Sequence, residues 1–167
     1  MPKYSMAVSH YQYLRDRLPL DIEMRYAVNW GLPGNGLNVK LFIQLYSSTP
    51  PSSGQLAKSL HQKVQPGVGF YYLFAFGGRA YLSSCIKSRG GTTVTEAQFQ
   101  RNRYLYDLKL SRLFAWLLGQ GTVRDTHCLW THLSMPANTS APEAAYHTLE
   151  QVWFDWYKWW LPRFSTS

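Results

Sequence analysis

The chain has 167 residues, 46% of them apolar and 16% charged, which suffices for a core and is too few charges for a disordered segment. That length fits a single globular domain, taken as 1–167. Net charge is +8, but the basic residues are scattered and no cluster of about five to eight stands together, which argues against a nucleic-acid partner.

In chain order, a short strand is predicted over 11–14. A second follows over 20–30, where Leu20, Ile22, Met24, Tyr26, Val28 and Trp30 take every second position. Gly31–Gly36 is dense turn chemistry, and 37–46 reads as a strand returning in an antiparallel hairpin, with Val39, Leu41, Ile43 and Leu45 on one face. A short helix is predicted over 55–63. Two strands follow over 68–76 and 79–86, split by Gly77-Gly78, a dipeptide suited to a tight hairpin turn. The run 69–76 is apolar on both faces, as in a strand covered on both sides.

Thr95 and Gln98 form a capping-box pattern at the start of a long helix that bends near Asp107 and ends at Gly119. A strand over 126–135 precedes a last helix, opened by Pro142 and Glu143 and stopped by Pro162. The expected fold is α+β, with an antiparallel or mixed sheet of five to six strands and helices packed against it.

Little in the chain suggests catalysis. Asp107, Asp125, Glu143, Glu150 and Asp155 show no tight pairing for acid–base work. A thiol enzyme would need Cys85 or Cys128 within reach of His61, His127, His132 or His147. His132 shares a strand face with Cys128 but lies roughly 13 Å along the strand, too far for direct activation. By count the two cysteines fit either buried thiols or one disulfide. No metal-type ligand pair accompanies them, and no glycine pattern suits a nucleotide, so neither metal nor cofactor is expected.

The bend Arg89-Gly90-Gly91 enters a capped helix, where Arg89 and backbone N–H groups would be presented to a carboxylate or phosphate on a partner. The last helix is apolar on nearly all sides. Leu149, Trp153, Trp156 and Trp160 form a core-like stripe, while Trp159, Trp160 and Phe164 near Lys158 and Arg163 suit a partner surface or a membrane interface. The longest apolar stretches, 69–76 and 113–118, are far below the ~20 residues of a spanning helix.

Several blocks, in order, resemble cyanosortase A-associated proteins: Ala80-Tyr-Leu-Ser-Ser-Cys85, Arg89-Gly90-Gly91, Thr95-Glu-Ala-Gln-Phe99 with Asn102-Arg103, and Tyr106-Asp107. The series continues with Trp116-Leu-Leu-Gly119, Arg124-Asp125, Cys128-Leu-Trp-Thr-His-Leu-Ser134 and Trp153-Phe-Asp-Trp-Tyr-Lys-Trp-Trp160, so that the resemblance covers 11–164. The chain departs from the family at Lys87-Ser88 and His127, where members carry Asn-Pro and Arg, and in having no N-terminal hydrophobic helix within 1–167.

The resemblance implies a non-catalytic accessory of an exosortase-type membrane transpeptidase, which processes the sorting signals of envelope proteins. It also implies a place on the outer face of the plasma membrane, with an N-terminal anchor absent from this chain. The partners expected are that transpeptidase and an anionic membrane surface. In such a compartment a Cys85–Cys128 disulfide would persist, with Cα atoms within ~7 Å. The alternatives are an envelope ligand-binding domain with a deep aromatic pocket and a Cys-dependent hydrolase or transferase.

Overall fold

A computed structural model of the chain describes residues 7–15, 17–27, 38–47, 50–106, 110–119 and 127–164. Two strands, β1 (Ala7–Arg15) and β2 (Leu18–Ala27), lead to two short helices, α1 (Val39–Tyr46) and α2 (Ser53–Ser59). Then come β3 (His61–Gln65), β4 (Gly69–Phe76) and β5 (Arg79–Ile86). Helices α3 (Glu96–Tyr106) and α4 (Leu110–Leu117), strand β6 (Cys128–Pro136) and helix α5 (Glu143–Phe164) complete the order. The strands form one six-stranded antiparallel sheet, β1-β2-β6-β5-β4-β3, so the fold is α+β.

Alternation along the strands gives the sheet two different faces. Leu20, Ile22, Met24, Leu73, Leu82 and Leu133 point to one face, where Leu149, Trp153 and Tyr157 of α5 cover them. Each of these large side chains contributes about 2 kcal/mol by leaving water. Tyr72, Phe74, Tyr81 and Trp130 point to the other face, under Val39, Phe42 and Ile43 of α1 and Leu56 of α2. Strand β4 is therefore covered on both sides, as its apolar run requires. Glu150 of α5 accepts from the Tyr71 hydroxyl at 2.8 Å and meets Lys63 Nζ at 3.3 Å, which ties the edge strand β3 to the helix layer.

Three expectations need correction. Segment 37–46 is not a strand paired to 20–30: its described part is helix α1, and β2 pairs instead with β1 and β6. The cause is the burial period, since Val39, Phe42 and Ile43 are buried while Leu41 and Leu45 are exposed. Asn38 caps the helix by accepting from Lys40 N–H at 2.9 Å.

The helix expected over 55–63 is α2, which begins earlier on a Ser52–Gln55 capping box and ends at Ser59, so that 61–65 becomes β3. Pro162, expected to stop the last helix, lies inside α5. It removes only one backbone bond near the helix end, and the Arg163 side chain donates to Trp159 C=O there. The strand end at 28–30, the turn at 31–36, the helix bend near Asp107 and the Arg124-Asp125 block lie outside the described residues.

Candidate functional site

At the Arg89-Gly90-Gly91 bend the chain turns back into its own sheet. Ladder pairing between β4 and β5 stops at Tyr72↔Ser83, and the strand ends part. Thr92 and Thr93 fill the gap: Thr92 N–H donates to Val68 C=O at 2.7 Å, and Phe70 N–H donates to Thr92 C=O at 2.9 Å. Thr93 exchanges both backbone bonds with Cys85, each at 3.1 Å.

The glycines make this packing feasible. Gly90 adopts φ +79°, and a Cβ there would come within 2.9 Å of the Tyr106 ring. A Cβ on Gly91 would sit 3.0 Å from Val68 O, while Asn102 Nδ2 donates to Gly91 O at 2.7 Å. At the start of α3 the capping box forms as expected, and Gln98 Oε1 accepts from both Val94 N–H and Thr95 N–H.

The amides of 92–95 are thus used within the fold. Arg89, expected to be exposed at the turn, is half-buried and engaged in contacts of its own. Lys87 is buried, with Nζ 3.6 Å above the Phe99 ring. The geometry makes the bend a junction between sheet and α3.

Cys85 and Cys128 end the strands β5 and β6 on the face under α1. Their Cα atoms are 5.7 Å apart and their sulfurs are bonded, both buried. Bonded sulfurs offer no thiolate, so this arrangement gives a Cys-dependent reaction no nucleophile.

The aromatic residues of α5 divide into three environments. Phe164, taken from sequence as a surface contact, is buried and meets Tyr26 edge to face at 5.7 Å. Trp160 is half-buried beside Arg163. Trp159 is 48% exposed, with the Arg163 guanidinium 3.7 Å above its ring.

Between β1 and α5 runs an open apolar groove of about 580 Å³, walled by Tyr11, Tyr13, Ile22, Val152, Trp156 and Trp159. The Trp156 Nε1–H is buried without a hydrogen-bond partner among the described residues. The stripe foreseen on α5 is core at Leu149 and Trp153 and groove wall at Trp156.

Among the described residues, a second exposed apolar surface lies on α4 and the turn after it. Leu110, Phe114, Trp116, Leu117 and Leu118 are between 54% and 74% exposed. On a helical wheel Leu110, Phe114 and Leu117 fall within about 60° of one another, on one face of α4. Tyr104 and Leu105 at the end of α3 add to the exposed apolar area. Sequence reading placed these residues on a helix and gave that face no separate role. What separates the two helices is burial: α3 buries Phe99, whereas no described side chain of α4 is buried.

No helix among the described residues is long and apolar enough to cross a membrane. No protein-family model matches this chain, and neither does any curated protein or solved structure.

Proposed function

We propose that this chain is a non-catalytic accessory protein of an exosortase-type (cyanosortase A) membrane protein-sorting system. It assists the processing or envelope export of sorted proteins at the outer face of the plasma membrane. The observation that carries the docking part of this reading is the apolar face of α4, left in water on a folded domain. A contiguous apolar helix face is costly to expose, and such surfaces mark contacts with another protein or a bilayer. The net charge of +8 adds attraction to anionic headgroups, screened within about 8 Å at physiological salt. The ordered sequence blocks supply the identity of the partner, an exosortase-type transpeptidase.

Fractionation tests the reading. Expressed alone, the chain should bind anionic vesicles weakly and dissociate in high salt. Coexpressed with its sorting enzyme, it should stay with the membrane pellet in high salt. A chain that remains soluble beside the enzyme contradicts the accessory role. It would favour the second reading, an envelope ligand-binding domain, for which the groove between β1 and α5 is the supporting observation.

A further inference from the structure

The sheet has two open edges, and they differ. At one edge, β3 is five residues long, four of them polar, and its Lys63 reaches across to Glu150. Short, charged edge strands discourage pairing with another chain. At the other edge, β1 runs for nine residues, Ala7–Arg15, with no proline, glycine or lysine. It has no bulge either, since each residue faces one partner on β2. Alternate residues of such a strand turn N–H and C=O away from their neighbour. Among the described residues, no strand lies beyond β1, and no backbone bond reaches it except from β2.

The side chains of β1 fall into two rows. Tyr11 and Tyr13 stand on the α5 side and wall the apolar groove, where Trp156 meets them edge to face at 5.3 Å and 6.2 Å. Val8, His10, Gln12 and Leu14 alternate with them on the other face. Val8 is 52% exposed, Leu14 79% and Tyr13 47%, so both rows leave apolar area in water.

We infer that β1 pairs antiparallel with β1 of a second copy of this chain, joining the two sheets across a two-fold axis at Tyr11. An axis perpendicular to the sheet keeps each row on its own face, and centring it on Tyr11 pairs the whole strand. Tyr11 then meets Tyr11 of the second copy, Tyr13 meets Ser9, His10 meets Gln12 and Val8 meets Leu14. On one face the exposed aliphatic side chains cover each other. On the other, the tyrosine walls of the two grooves become continuous. The strand is its own complement, which identifies the occupant as a second copy.

Such pairing satisfies the outward backbone groups with about eight to ten hydrogen bonds, in the range of ordinary interfaces. No like charges meet in it. Arg15 falls opposite Ala7 of the second copy, and the two Arg15 positions stand roughly 27 Å apart, well beyond a screening length of about 8 Å. The general repulsion between two chains of net charge +8 is screened at physiological salt. This edge is separate from the exposed face of α4, so failure of either leaves the other standing.

Sedimentation equilibrium of the purified chain at physiological salt, over a concentration series, tests the pairing. The native chain should reach twice the monomer mass. Val8→Lys/Leu14→Lys sets like charges opposite each other at both ends of the paired strands and should weaken association at least ~10-fold. Val8→Lys/Leu14→Glu sets opposite charges at the same contacts and should recover most of that loss, because this register alone brings the two positions together. Both positions are exposed, so circular dichroism of both variants should match the native chain. Amide hydrogen exchange on the native chain needs no variant: alternate amides of β1 should gain protection as concentration rises. A chain that stays monomeric throughout overturns the inference and leaves the edge to a strand of another protein. A dimer that dissociates in Phe114→Glu/Leu117→Glu overturns it by placing the contact on α4. So does a Val8→Lys/Leu14→Glu variant no tighter than the double lysine, or exchange of the β1 amides that ignores concentration.

Discussion

Burial holds His132 neutral in the folded chain, with its pKa pushed down to about 3, whereas in the unfolded chain it takes up a proton near 6.5. Between those values the unfolded state binds a proton that the folded state does not. Stability from this residue is complete above about pH 6.5 and falls as pH drops toward the folded value, by up to about 1.4 kcal/mol per unit. Carboxylic acids ordinarily titrate near about 4, so the window from about pH 6.5 to about 5 isolates the imidazole. Denaturant melts of the native chain and of His132→Phe should diverge across that window, the variant gaining relative stability as pH falls. Histidines common to both, His10 among them, cancel in the difference. A constant gap would mean that His132 is solvated and free to protonate. Sequence reading had singled out His132 only as a base for Cys128. Its place in a stack of rings from three strands and a helix depends on register, which no local pattern displays.

At the scale of elements, what could be read depended on whether local signals and tertiary packing agreed. Gly77-Gly78 specified its hairpin because both residues take positive φ, +58° and +74°, which a two-residue turn of this kind requires. Thr95 and Gln98 specified the start of α3 for an equally local reason. Helix α1 was missed because Val39, Leu41, Ile43 and Leu45 fit period two as well as Val39, Phe42 and Ile43 fit a helix. Asn38 was the discriminating cue. Strand β3 was missed because His61–Gln65 is an edge strand with Val64 its one apolar side chain, and that exposed; its identity comes from pairing with β4.

The bridge between β5 and β6 belongs to this scale too. Cys85 and Cys128 are 43 residues apart in sequence, so the bond constrains a long loop of the unfolded chain. Replacing both by alanine should lower the unfolding free energy by about 2–4 kcal/mol, measured by denaturant melts under oxidising conditions. A loss below about 0.5 kcal/mol would show that the sheet ladder alone fixes these strand ends.

For the whole molecule, one side of the sheet is closed by α5, the other is half closed by α1 and α2, and α4 shows its apolar face to water. The first was legible in outline from the apolar stripe of the last helix and the alternating strands, and the second was not, because α1 reads locally as a strand. The third was not, because a helix that meets a partner and a helix that meets its own core share one amphipathic pattern. Placement against the sheet separates them, and placement is a property of the complete fold. Docking falls to this exposed face of α4. The direct measurement is retention in high-salt membrane pellets, with the sorting enzyme coexpressed, of the native chain and of a Phe114→Glu/Leu117→Glu variant. Both substituted side chains are exposed, so the variant's melting temperature should stay within a few degrees of the native value. The native chain should be retained, and the variant should be released at least ~10-fold more. Equal retention of a folded variant would contradict it.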